Sequence, residues 1–172
     1  MIELNLVGVR VELPTNTPIL LLKEAGGERF LPIFIGPAEA HAIVTALQGH
    51  EPPRPMTHDL LKNILDELGA VVEHIAINDL KDSTFFANIR LNLGSHAYEI
   101  TSRPSDAIAL AVRIQVPIYA AEEVLEEASI RIEGSEAQLG EGRSLLDQTS
   151  EAELERFREF LEQVSPEDFR QQ

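Results

Sequence analysis

The spacing of hydrophobic and polar positions in the first 35 residues predicts three strands. Residues 2–12 alternate, and the apolar positions change face beside Gly8, which indicates either a β-bulge or burial on both faces. Residues 19–22 and 30–35 are two further apolar runs of strand length, separated by a hairpin loop that contains two glycines. We therefore expect a three-stranded unit at the start of the chain.

Two helical patterns follow this unit. Pro37 begins a helix that extends to about Gln48, with Gly49 as its C-terminal stop. Thr57 is the expected N-cap of a second helix, which continues to residue 68. One face of this second helix carries large apolar residues, and we expect that face to be buried. It consists of Leu60, Leu61, Ile64, Leu65 and Leu68.

The order of elements then repeats. Residues 71–80, 84–93 and 96–102 have strand patterns, and the middle run alternates most clearly. The third run leads directly into a helix over residues 104–114, whose apolar content predicts burial on most sides. A short strand and a short helix complete the pattern, at residues 117–120 and 122–128.

Two of the strand-to-helix junctions resemble each other. Pro37 and Pro104 each begin a helix and are followed by a small residue and then by an acid, Glu39 or Asp106. Either the chain contains two duplicated β-β-β-α halves, or any junction of this kind favours proline and an acid. Under both interpretations we predict an α+β fold with a mixed or antiparallel sheet and helices.

Composition separates a domain, residues 1–128, from an acidic C-terminal segment, residues 129–172. Residues 121–172 contain 15 of the 29 acidic residues. In the C-terminal segment we expect a loop and then an amphipathic helix that begins near Ser150 with a capping-box pattern. Its apolar stripe would dock on the domain or bind a second subunit, and we predict a homo-oligomer. The stripe consists of Leu154, Phe157, Leu161 and Val164.

The overall composition excludes several classes of protein. The chain has 172 residues, of which 44% are hydrophobic, so it is long and apolar enough for one globular core. It has no cysteine, which excludes disulfides and a cysteine nucleophile. No apolar run has the length of a membrane span and no secretory signal is visible, so we expect a cytoplasmic protein without a membrane partner. The net charge of −15 opposes non-specific binding to nucleic acid.

Three acids, Glu39, Asp59 and Asp106, lie in the first turns of predicted helices. One interpretation is that each carboxylate complements the positive end of its helix dipole. The other is that they converge on Mg²⁺ or Mn²⁺ for phosphodiester hydrolysis, where the metal activates water and neutralises phosphate. His58 would then act as an acid or base, unless it is only a solvated first-turn residue. The chain has no dinucleotide or phosphate-loop motif, so we expect no organic cofactor.

Three arginines, Arg54, Arg103 and Arg113, are candidates for binding a substrate phosphate through paired hydrogen bonds. The alternative for Arg103 and Arg113 is a buried network with Asp106 or Glu39, in which the arginines would be structural. Asp106 and Arg113 share one helical stripe, but their separation along the helix is roughly 10 Å, too far for a direct ion pair.

Three motifs, in this order along the chain, resemble the bifunctional nuclease domain family. They are residues 31–36 (LPIFIG) followed by Glu39-Ala40, residues 54–60 (RPMTHDL), and residues 102–111 (SRPSDAIALA). Residues 84–87 (TFFA) fit as well, and the resemblance covers about residues 2–125. It implies an α+β domain and the DNase and RNase activity reported for some members of that family.

We therefore predict a nuclease-like protein that hydrolyses phosphodiester bonds in DNA or RNA with the assistance of a metal. The predicted catalytic residues are Asp106, Glu39, His58 and Asp59. The predicted substrate-binding residues are Arg54, Arg103 and Arg113, and the candidates for metal ligands are Glu39, Asp59 and Asp106. The alternative is a non-enzymatic interaction or regulatory module, in which the same motifs are core and capping residues.

Overall fold

A computed structural model describes residues 1–12 and 15–131, and the predicted loop and helix of the C-terminal segment lie outside the described residues. Within these ranges, eight strands form one mixed sheet, and four helices accompany it. The elements are β1 (Ile2–Glu12), β2 (Thr17–Glu24), β3 (Arg29–Phe34), α1 (Pro37–Leu47), α2 (Thr57–Leu68), β4 (Ala70–Lys81), β5 (Thr84–Leu93), β6 (His96–Ser102), α3 (Pro104–Ile114), β7 (Ile118–Ala120), α4 (Glu122–Ala128) and β8 (Ile130–Arg131). The predicted α+β class with a mixed sheet is confirmed.

The sheet consists of two antiparallel three-stranded units on either side of β7, with β8 added at one edge. Its strand order is β6-β5-β4-β7-β1-β2-β3-β8. β7 pairs antiparallel with β1 and parallel with β4, so β1 and β4 run in opposite directions. Residues 2–35 and 71–102 therefore each contribute three strands, as expected. The duplication of the two halves stays a prediction.

Helix α3 is the most buried helix of the described chain. Residues 107–111 are at most 2% exposed, and they pack on α1, α2 and the sheet. This burial follows from the sequence, because a helix that is apolar on most sides cannot leave those sides in water without cost. None of the helices within residues 1–12 and 15–131 is long and apolar enough to cross a membrane. The core thus centres on α3 and places its first turn at the end of β6.

The prediction that the apolar face of α2 is buried is wrong. Four of its five large apolar side chains are between 36% and 63% exposed, and only Leu65 packs partly against the core. The helix contacts α3 and β4 along one side, and the apolar stripe extends beyond that contact. Periodicity identifies an amphipathic helix, but it does not identify what covers the apolar face. The exposed residues are Leu60, Leu61, Ile64 and Leu68.

Smaller differences concern the ends of elements. Met56, and not Thr57, is the N-cap of α2, and its backbone N–H donates to Oδ2 of Asp59 over 2.8 Å. Strand β8 was not predicted, since two residues are too short to show a period; it extends the sheet beyond residue 128. The bulge beside Gly8 is confirmed, because the pairing register of β1 and β2 shifts there and Gly8 has a φ of +146°.

Candidate functional site

The first turns of α1, α2 and α3 meet around one surface cavity of about 340 Å³. Helix α1 contributes two titratable side chains to the lining, Glu39 and His41, while α2 contributes His58 and α3 contributes Asp106. Arg103, the N-cap of α3, lines the same cavity. Four of these residues contact one another, and we call them the polar cluster: Glu39, His58, Arg103 and Asp106. They come from three separate motifs of the sequence.

Arg103 is the centre of the polar cluster. Its Nε and Nη2 lie 2.7 and 3.0 Å from Oδ2 and Oδ1 of Asp106, and its Nη1 lies 2.8 Å from Oε1 of Glu39. The bonds to Asp106, and then those to Glu39, raise the pKa of Arg103 above its ordinary value. The side chain is nevertheless 66% exposed. A permanently charged guanidinium therefore faces solvent while two carboxylates hold its orientation.

His58 and Asp106 form the second contact of the polar cluster. Nε2 of His58 lies 3.3 Å from Oδ1 of Asp106, and the imidazole is mostly buried. Burial acts to raise the pKa of Asp106, but its hydrogen bonds with Arg103 and His58 hold that pKa below the ordinary value. Asp106 is therefore ionised at neutral pH. An ionised carboxylate favours the imidazole tautomer with the proton on Nε2, which leaves Nδ1 able to accept a proton.

Asp59 and Arg113 form a separate pair behind the polar cluster. Nε of Arg113 lies 2.5 Å from Oδ1 of Asp59, and its Nη1 donates to the carbonyl oxygen of Ala109 over 2.8 Å. Burial acts to raise the pKa of Asp59, but the bonds from Arg113 and from the backbone N–H of Met56 hold that pKa below its ordinary value. Arg113 is only 6% exposed, so this pair connects α2 to α3 beneath the surface.

The structure thus brings together four of the seven predicted site residues: Glu39, His58, Arg103 and Asp106. Asp59 and Arg113 pair with each other. Arg113 thus forms a buried ion pair, as in the structural alternative, but its partner is Asp59 and not Asp106 or Glu39. Arg54 is exposed in the segment before α2 and forms no hydrogen bond or ion pair with a described residue.

The predicted metal ligands do not form a ready cation site. Within the described residues, no group of three or more histidine, aspartate or glutamate side chains could hold a metal ion. The reason is visible in the contacts, because Glu39 and Asp106 both bind Arg103, and both oxygens of Asp59 are occupied by Arg113 and Met56. These residues therefore do not fit a preformed divalent site, and the dependence on Mg²⁺ or Mn²⁺ stays a prediction.

Sequence reasoning did not identify two further residues beside the polar cluster, Phe34 and Ser105. Both line a second cavity that also includes Glu39 and Arg103. Phe34 ends the LPIF run of β3 on the face opposite to the buried Leu31 and Ile33, and its ring is exposed. Ser105 lies within the SRPSD motif, between Arg103 and Asp106, and its place in that motif is the signal that could have identified it.

The fold and the site define an α+β domain that carries an arginine, two carboxylates and a histidine at the N-termini of three helices. The chain belongs to the bifunctional nuclease domain family, whose model matches residues 20–133. The matched range contains all three motifs and all four residues of the polar cluster. The predicted family is therefore confirmed.

Individual relatives agree with this assignment. The chain is 46% identical over 130 residues to an uncharacterised protein of Mycobacterium tuberculosis, a match that covers 76% of this chain and 77% of that protein. It is 33% identical over 112 residues to bifunctional nuclease 2 of Oryza sativa subsp. japonica and 30% identical over 112 residues to bifunctional nuclease 1 of Arabidopsis thaliana. Both plant matches cover 62% of this chain but only 34% of the plant protein. The similarity thus spans about a third of each plant relative.

Proposed function

We propose that this protein is a nuclease that hydrolyses phosphodiester bonds in DNA or RNA at the polar cluster. The observation that carries the proposal is the position of the His58–Asp106 pair, 3.3 Å between Nε2 and Oδ1, beside the exposed guanidinium of Arg103. A base and a phosphate-binding cation then line the same cavity. Membership of the bifunctional nuclease domain family supports the choice of phosphodiesters as substrate.

The chemistry assigns one role to each group. Nδ1 of His58 accepts a proton from a water molecule, and Asp106 stabilises the imidazolium that forms. The resulting hydroxide attacks phosphorus, the bond from phosphorus to the ester oxygen breaks, and solvent water protonates the leaving oxygen. Arg103 binds the non-bridging oxygens, on which negative charge develops. Glu39 orients Arg103, and its hydrogen bond to Arg103 breaks when the guanidinium binds the phosphate.

The charge of the polar cluster makes a specific demand on the substrate. Two carboxylates face one guanidinium, so the cluster carries a net negative charge when His58 is neutral. We expect a phosphate to displace one carboxylate from Arg103 as it binds, because the two negative charges oppose the approach of an anion. Glu39 is the residue that we expect to be displaced, because it makes one hydrogen bond to Arg103 where Asp106 makes two.

The test is a cleavage assay on single-stranded and duplex DNA and RNA, each with and without Mg²⁺ or Mn²⁺. We expect cleavage by the wild type and a loss of about 100-fold or more in His58→Gln, since general bases contribute at least that factor. Asp66→Asn is the matched control, because Asp66 is an exposed acid of α2 that pairs with Lys62. Equal activity of wild type and His58→Gln would remove the proposed base.

A second candidate function is a non-enzymatic interaction module. The observation that favours it is the exposed apolar face of α2, since such faces mark contacts with other proteins. The double variant Leu60→Gln, Ile64→Gln separates the two functions. The interaction module would be supported if the wild type cleaves no substrate and the double variant forms an assembly of lower mass than the wild type does. Cleavage that is unchanged in this variant and lost in His58→Gln would support the nuclease.

A further inference from the structure

A second cavity, of about 280 Å³, adjoins the polar cluster, and we call it the Phe34 cavity. It shares only Glu39 and Arg103 with the cavity that His58 and Asp106 line, so the Glu39–Arg103 ion pair separates the two. Its volume is close to the lower end, about 300 Å³, of cavities that hold small molecules. A group bound to Arg103 would therefore lie between the Phe34 cavity and the proposed base.

Aromatic rings form one wall of the Phe34 cavity. Phe34, the last residue of β3, is 60% exposed, and Phe85 of β5 is half-buried beside the same space. Neither ring stacks on another aromatic ring of a described residue. An exposed ring that borders a cavity offers its face to a flat ligand, and nucleobases are flat ligands that stack on such faces.

Polar groups form another part of the lining of the Phe34 cavity. Ser105 is 7% exposed, lines the cavity, and makes no side-chain hydrogen bond with a described residue. It lies in the first turn of α3, where backbone N–H groups have no partner within the helix. Arg103 adds a positive charge beside this turn. An unpaired hydroxyl that lines the cavity next to a helix N-terminus and a guanidinium is suited to bind a phosphate or a sugar hydroxyl group.

We propose that the Phe34 cavity binds one nucleotide of a single-stranded nucleic acid, with the base stacked on Phe34 and the phosphate at Arg103 and Ser105. This inference rests on the proposed nuclease function, because it places the bound nucleotide beside the phosphodiester that is cleaved. The inference predicts that the protein binds single strands more tightly than duplexes. A base within a duplex is stacked on both faces and paired at its edge, and it must leave the stack before it reaches an aromatic side chain.

The test uses the absence of tryptophan from this chain. In Phe34→Trp the new indole is the only tryptophan side chain and reports stacking by a change of its fluorescence. The ligands are adenosine 5′-monophosphate, ribose 5-phosphate and inorganic phosphate, followed by a short single-stranded oligonucleotide and its duplex. Phe86→Trp is the matched control, because Phe86 is an exposed phenylalanine of β5 that does not line the cavity.

We expect adenosine 5′-monophosphate and the single strand to quench the indole fluorescence of Phe34→Trp, with the oligonucleotide binding more tightly. Ribose 5-phosphate and phosphate leave the fluorescence unchanged, and the control responds to none of the ligands. By calorimetry, Phe34→Ala weakens binding of the nucleotide at least about fivefold, whereas Phe34→Tyr retains it. Because Phe34 is mostly exposed, neither variant is expected to unfold the domain.

Three results would overturn the inference. They are equal affinity for the nucleotide and for ribose 5-phosphate, equal affinity of Phe34→Ala and Phe34→Tyr, and affinity for the duplex equal to that for the single strand. These measurements need no turnover, so they are independent of the cleavage assay. Cleavage that persists without quenching would refute the nucleotide site alone, and quenching without cleavage by any preparation would refute the nuclease alone.

Discussion

Nε of Arg113 lies 2.5 Å from Oδ1 of Asp59, although 54 residues separate the two in sequence. The contact joins the last turn of α3 to the first turn of α2. Asp59 is the residue directly after His58, so the pair also limits where the proposed base can lie. A carboxylate that resembles a metal ligand in the sequence thus pairs with an arginine in the structure.

Removing the charge of Asp59 is expected to destabilise the fold. Asp59→Asn leaves the buried guanidinium of Arg113 without an anion, and breaking a buried ion pair on one side costs about 3 kcal/mol. Urea unfolding monitored by circular dichroism measures the effect. Asp66→Asn removes an exposed acid of the same helix and should change stability by less than about 1 kcal/mol. Equal stability of the two variants would show that the Asp59–Arg113 pair contributes nothing.

The same pair predicts a dependence of stability on pH. The pKa of Asp59 is lower in the folded chain than the ordinary aspartate value of about 3.9. Its contribution is therefore complete above that value and is lost as the pH falls through the folded pKa. The difference in unfolding free energy between wild type and Asp59→Asn should be constant near neutral pH and shrink below about pH 4. A difference that grows on acidification would contradict this sign.

Asp106→Asn separates catalysis from structure. The amide keeps the shape of the side chain and one oxygen for Arg103, but it removes the charge that stabilises an imidazolium at His58. If Asp106 is catalytic, we expect a folded protein with activity reduced about 100-fold or more. If it is structural, the melting temperature falls instead. A variant that stays folded and fully active removes Asp106 from the catalytic residues.

Arg103→Lys tests the paired hydrogen bonds of the guanidinium. Lysine keeps the positive charge, but it cannot make two parallel bonds to Asp106 or to a phosphate. We expect kcat/KM to fall at least about tenfold, while the melting temperature changes little because the side chain is mostly exposed. Lys62→Arg, at an exposed position of α2, is the reciprocal control and should leave both quantities unchanged. Full activity of Arg103→Lys would mean that a point charge suffices.

The apolar stripe of the C-terminal segment is expected to be buried on the domain or on a second subunit. Four large apolar residues on one helical face are costly in water. Deleting residues 149–172 should therefore lower either the melting temperature or the mass of the assembly in light scattering. A control deletion of residues 167–172 leaves the stripe intact and should preserve both. If the longer deletion changes neither quantity, the stripe has no partner within the protein.

The amino-acid sequence by itself determined the order of the elements from β1 to α4, the α+β class and the burial of α3, because helices and strands impose periods on neighbouring residues. It also identified Glu39 and Asp106, since proline and an acid at a helix start reflect local backbone geometry, and it offered His58 and Arg103 as candidates beside them. The tertiary structure alone decided the rest. The exposure of α2, the pairing of Asp59 with Arg113 and the aromatic wall beside Arg103 all depend on which distant surfaces meet. Periodicity reports that a side chain is apolar or charged, whereas its partner is set by packing between elements far apart in the chain.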